Sequence, residues 1–162
     1  DLAWTRHVKY IVAKVSKRLF ALCQLVRCGF SYDEIVAVYC SLIRPAFECA
    51  SRPVWHCGLT GVLSDEVESV QKRCMRIIFP HLSYSDAIAV AGLERLSARR
   101  ETAVIKLFNE IKHETHVLHS LLPIKPTQSG LTTRDNYPYR LPRARTERRS
   151  RSLINYCIKK KF

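Results

Sequence analysis

Few side chains in this sequence could do chemistry, and most of those have a simpler role. His113, His116 and His119 form an H-x-x-H-x-x-H series. Neutral imidazoles three apart on a helix can share a metal ion. Leu118, Leu121, Leu122 and Pro123, however, mark a helix ending within the series, which separates the third histidine from the others. No Cys or acid stands at a matching ligand spacing, so no metal site is expected. The adjacent acids Asp33-Glu34 and Asp65-Glu66 each open an apolar-periodic run. Neighbouring helix residues point about 100° apart, so neither pair alone converges on the ions of a two-metal site. Complementing the positive end of a helix dipole accounts for both pairs. His56-Cys57 beside Trp55 supplies a thiol, but sequence neighbours seldom face each other as nucleophile and base, and a packed loop is expected. G-x-x-x-x-G-K-[ST], G-x-G-x-x-G and G-x-S-x-G are all absent, and no catalytic residue is assigned.

The stronger signal is positive charge. Lys and Arg number 27 against 14 Asp and Glu, a net charge of +13, which favours a polyanionic partner. Residues 1–119 hold 16 Lys/Arg and 12 Asp/Glu, whereas residues 120–162 hold 11 and 2. The candidate nucleic-acid contacts are Arg6, Lys9, Lys14 and Lys17 in the first helical segment and Lys72, Arg73 and Arg76 in the third. Arg140, Arg143, Arg145, Arg148, Arg149 and Arg151 follow in the C-terminal stretch, where Tyr137 and Tyr139 interleave and could stack on bases. Such cations neutralise phosphates without reading sequence.

These residues need elements to position them. Between Thr5 and Arg27, Val8, Ile11, Val12, Val15, Leu19, Leu22 and Val26 fall within about 50° of one line on a helical wheel. Arg6, Lys14 and Lys17 lie opposite, Lys9 and Arg27 flank them, and Gly29 supplies a left-handed stop. Ser31 and Glu34 form a capping box for a second helix with Ile35, Val38, Tyr39 and Leu42 as its buried stripe, ended or kinked at Pro45. Residues 53–63 read as a loop anchored by Trp55. Ser64 then caps a third helix, with Asp65, Glu66 and Glu68 in its first turn and Val67, Val70, Cys74, Ile77 and Ile78 facing the core. A short fourth helix follows Ser83 and closes near Gly92, and a fifth runs from about Ser97 to Lys112 with Val104, Leu107, Phe108 and Ile111 on one side. The fold class is all-α: a bundle of about five helices over residues 1–122, then a basic, Pro/Arg-rich and largely irregular tail over 123–162. The apolar patch of Leu153, Ile154 and Tyr156 is the part of that tail able to dock back.

Composition narrows the class further. The apolar fraction of 47% is that of a globular chain and argues against wholesale disorder. Seven Cys, without a C-x-x-C pair and without a charged segment leading into an apolar one at the start, point to free thiols in a reducing compartment. The chain is therefore expected inside the cell, in nucleus or cytoplasm, and not secreted. The uncharged run from Ile35 to Ile43 is about half what spans a bilayer, so no membrane partner is expected. Because the chain opens at Asp1 and its one Met is Met75, it reads as a piece of a longer polypeptide.

Five segments in order then resemble one family. DLAWTRHVKYIVAKVSKRLFALCQLVRCGF, YCSLIRPAFECA, PVWHCGL, LSDEVESVQKRCMRIIFP and SYSDAIAVAGLERLSARRE are similar to the region after the palm in reverse transcriptases of non-LTR (LINE-type) retrotransposons, the jockey-like groups above all. The likeness extends to the ending NYCIKKKF. Two departures are Cys49, where the family has Tyr, and Arg52, an extra residue before PVWH. The resemblance implies a helical thumb and linker of an RNA-directed DNA polymerase, holding the RNA and DNA of the template–primer duplex and joined to the remainder of the polymerase. The family's paired-aspartate turn has no counterpart here, so no cofactor is expected in this chain and Mg2+ is expected only in the palm. No small-molecule substrate is implied.

Two other classes compete. A stand-alone helical DNA-binding module, such as a domesticated relic, needs amides or arginines on an exposed recognition face. Here the exposed faces are mostly Lys, Arg and Glu, with Gln71 and Asn109 as their amides. A protein-interaction bundle would use the charge only for solubility.

Overall fold

The computed structural model describes residues 4–48, 55–124 and 139–160. Among them every regular element is helical. They are α1 (Thr5–Arg27), α2 (Tyr32–Val38), a π turn (Tyr39–Ile43), α3 (Arg44–Glu48), a 3-10 turn (His56–Gly58), α4 (Gly61–Ile78), α5 (Tyr84–Val90), α6 (Leu96–Ile111), a 3-10 turn (His119–Leu121), α7 (Glu147–Ser150) and α8 (Leu153–Lys159). The five helices read from the sequence are α1, the continuous α2–α3 segment, α4, α5 and α6; α7 and α8 lie in the basic stretch.

The described residues fall into two compact units. The first holds 4–48 and 59–100, the second 55–58, 101–124 and 139–160, so the division comes inside α6 rather than at the change of composition after Pro123.

In the first unit, α1 packs along α4. Val8, Ile11, Val15, Leu19 and Leu22 are buried on one side of α1, and Val67, Val70, Cys74, Met75 and Ile78 on one side of α4. Burial of these aliphatic side chains is the main force holding the pair, at roughly 1.5–3 kcal/mol for each fully buried Val, Leu or Ile. Gly29 at φ +78° ends α1, where a residue with a Cβ would be strained.

Two local readings change. The buried stripe after Ser31 is Ile35, Tyr39, Ile43 and Phe47, and Leu42 is exposed. Steps of four overshoot a 3.6-residue turn by about 40° each, and the wider π turn takes up that drift. Arg44 N–H reaches back to Tyr39 in this turn, the carbonyl of Leu42 accepts from Arg18 on α1, and Pro45, which has no amide to donate, follows within α3. The start of α4 moves as well. Its N-cap is Thr60, whose hydroxyl accepts from Leu63 N–H at 3.4 Å, so Asp65 and Glu66 lie beyond the first turn.

In the second unit, Cys57, Val104, Phe108, Tyr139, Cys157 and Ile158 form a buried cluster. Leu122, Leu141, Leu153, Ile154 and Tyr156 pack around it. The patch at the end of the chain thus joins a core drawn from four separate stretches of sequence.

Candidate nucleic-acid interface

The buried stripe of α1 sets its rotation, and that rotation leaves Arg6, Lys9, Lys14 and Lys17 exposed. Two aromatic rings share the solvent side with them: Tyr10 is 62% exposed and Phe20 67%. Lys14 Nζ stands 5.9 Å from the centre of the Tyr10 ring. The sequence reading did not count these rings as site residues; the signal was their place on the polar side of the wheel. Exposed rings among cations give a surface that can hold both phosphates and bases. Arg18 is half-buried and ties α1 to the π turn instead.

On α4, Lys72, Arg73 and Arg76 are exposed, on the side opposite the buried stripe. Lys72 Nζ lies 5.5 Å from the ring centre of Tyr84. Several other polar groups of α4 are engaged by the fold, while Asp65 is exposed. Gln71, expected on an exposed face, is buried: its amide nitrogen donates to the Glu94 carbonyl at 3.1 Å, and its oxygen accepts from Leu96 N–H at 3.2 Å. Glu68, 7% exposed, accepts from the Tyr84 hydroxyl and from Ser97 N–H. Ser64, read as a cap, instead accepts from buried Arg100 at 3.0 Å. Burial pulls the Arg100 guanidinium below its ordinary value, while Glu68 and Glu48 hold it up.

Other acids of the first unit are also tied to the fold. Glu34 accepts from Ser31 N–H at 2.9 Å and from its hydroxyl at 2.7 Å, bonds that hold its carboxyl below the usual range. Glu48 pairs with Arg99, and Asp86 accepts from the Ser83 hydroxyl at 2.6 Å. Glu34, Glu48, Glu68 and Asp86 thus serve caps and internal pairs, whereas Asp33, Asp65 and Glu94 are exposed, as are eight cations of α1 and α4, the seven candidates and Arg27.

In the second unit, Arg140, Arg143, Arg145, Arg148 and Arg149 are exposed, and Arg151 is half-buried and paired with Glu147. Tyr137 lies outside the described residues. Tyr139 does not present a stacking surface, because it is buried edge-on to Phe108 with ring centres 6.4 Å apart. The apolar partner it meets lies over thirty positions upstream, so no local pattern exposed this role.

Most of the other candidates have structural partners, while His113 is exposed. His116 Nδ1 accepts from Leu118 N–H at 3.1 Å, and His119 Nδ1 lies 3.0 Å from the Ile111 carbonyl. Among the described residues no group of three or more His, Cys, Asp or Glu is arranged to hold a metal ion. Cys57 is in the core, and burial pushes its thiol up to about 12, far from the thiolate a nucleophile needs. His56 meets the Tyr156 ring edge-on at 6.2 Å. Among the described residues no helix is long and apolar enough to cross a membrane. No protein-family model matches the chain, and neither a curated protein nor a solved structure matches it.

Proposed function

We propose that this chain is the thumb and linker of an RNA-directed DNA polymerase of the non-LTR retrotransposon type, and that it grips the template–primer duplex through its phosphates. The observation that carries this reading is the exposure of Arg6, Lys9, Lys14 and Lys17 on α1 and of Lys72, Arg73 and Arg76 on α4, each set opposite its helix's buried stripe. Lys and Arg on helices suffice to hold an A-form RNA–DNA duplex, which is bound by shape and backbone rather than by base edges. The five segments quoted above supply the family. Burial of Gln71 removes an amide that a sequence-reading module would have used, and so favours the grip over the stand-alone regulator. Polymerisation, with its Mg2+, belongs in this reading to a palm joined to the chain.

The test is binding of the chain to an RNA–DNA duplex across a salt series. The expected result is a linear fall of log K with log salt, equal affinity for scrambled duplexes, and no nucleotide incorporation. Replacing Lys72, Arg73 and Arg76 with Gln is expected to reduce the slope by about 2–3, close to one per phosphate contact. Binding undetectable in low salt, a strong preference for one sequence, or incorporation by the chain alone overturns the reading.

A further inference from the structure

The basic stretch contains one feature that a solvated tail does not need. Arg143, Arg145, Thr146 and Arg149 line an open recess of about 480 Å3, within the range of clefts that take small ligands. Arg143 and Arg145 approach on irregular backbone, and Arg149 follows on α7. We infer that this recess is a binding site for a phosphate group of a nucleic-acid strand.

Charge is the first argument. Three guanidiniums lining one cavity repel each other, and among the described residues no carboxylate is paired with them. Glu147 is the sole acid between Arg140 and Lys160, and its carboxylate is turned to Arg151. An anion placed in the recess relieves that repulsion. Guanidiniums are the side chains best matched to phosphate, since each offers a planar fork for paired, charge-assisted hydrogen bonds.

Construction is the second argument. The recess is anchored on both sides by buried groups. Arg149 N–H donates to Thr146 Oγ1 at 3.3 Å, and the Arg149 carbonyl accepts from Asn155 Nδ2 at 2.7 Å and Ser152 Oγ at 2.9 Å. Asn155 on α8 is itself buried. On the other side, Leu141 packs against the core cluster and Tyr139 belongs to it. The arginine forks are thus carried on backbone that is already ordered, so less entropy is lost when an anion arrives. Thr146 accepts the cap bond and keeps its own hydroxyl proton to donate to a phosphate oxygen.

The inference rests on the proposed grip only for the source of the phosphate, and its test separates the two. Inorganic phosphate is titrated into the isotope-labelled full chain and followed by amide NMR. Shifts centred on residues 143–149 are expected; shifts spread evenly over the exposed cations of α1 and α4 overturn the site. The triple variant R143Q/R145Q/R149Q is expected to lose roughly tenfold or more in phosphate affinity. R27Q/R95Q/K106Q, which removes the same charge from exposed positions elsewhere, is expected to lose less than about twofold. Equal losses overturn the site, and R145Q alone serves the same comparison should the triple variant not fold. Short single strands with and without a 5′-phosphate then give the source. Weakening by the recess variant confined to the phosphorylated strand supports a chain end, and equal weakening of both supports an internal phosphodiester. Weakening of neither overturns the assignment to nucleic acid. A chain that binds inorganic phosphate in the recess but no RNA–DNA duplex refutes the grip and leaves the site standing.

Discussion

Three cysteines lie in the two cores, and burial pushes each thiol up to about 12: Cys57 and Cys157 in the second unit, Cys74 in the first. An ionised thiolate cannot be solvated there, so the folded chain keeps protons that the unfolded chain releases near the ordinary value of 9.0. The folded state then binds more protons than the unfolded one, and stability falls as pH rises. The window is pH 9 to 12; below 9 both states are protonated and the thiols contribute no pH dependence. Urea midpoints measured across that range are expected to drop, and C74A is expected to make the drop shallower. A flat profile over this window contradicts the burial of these groups. The same protonation makes them slow towards iodoacetamide at pH 8, and exposed Cys28 is expected to react ahead of them.

Helix ends carry a sharper contrast, because two hydroxyls four residues apart compete for one role. Thr60 caps α4, and Ser64 accepts from Arg100. T60A is therefore expected to cost about 1 kcal/mol through the lost cap. S64A removes the acceptor bonded to a buried guanidinium, at about 1.5–3 kcal/mol. A costlier T60A in urea denaturation would return the cap to Ser64. The sequence hid the true start because Gly61 in a first turn costs helix propensity and reads as loop. Elsewhere local chemistry was enough: the α1 stripe, the Ser31–Glu34 box and the Ser83 cap were all visible as spacing. The cations of α1 and α4 were legible for the same reason, since a stripe fixes its own opposite face. What stayed hidden depends on partners far along the chain. Tyr139 meets Phe108, Gln71 bridges the segment before α6, and the second core gathers residues from Cys57 to Ile158. No window of neighbouring residues holds that information.

For the whole chain, the net charge of +13 acts on stability and on binding with opposite signs. Free in solution, the folded chain concentrates like charges that the unfolded chain spreads out, and salt screens that repulsion. Raising salt from about 50 to 300 mM is expected to lift the unfolding midpoint of the free chain by a few degrees, the scale of a change of order 1 kcal/mol. With RNA–DNA duplex in excess the order reverses. At low salt bound duplex stabilises the fold by mass action, and the same salt increment removes it as counterions return to the phosphates. The two melting curves are therefore expected to converge as salt rises, the free chain from below and the bound chain from above. A melting curve left unchanged by excess duplex at low salt would leave the charge with a solubility role only. Convergence instead ties the charge to a partner bound through its phosphates, since a chain carrying its charge only for solubility has no bound state for salt to release.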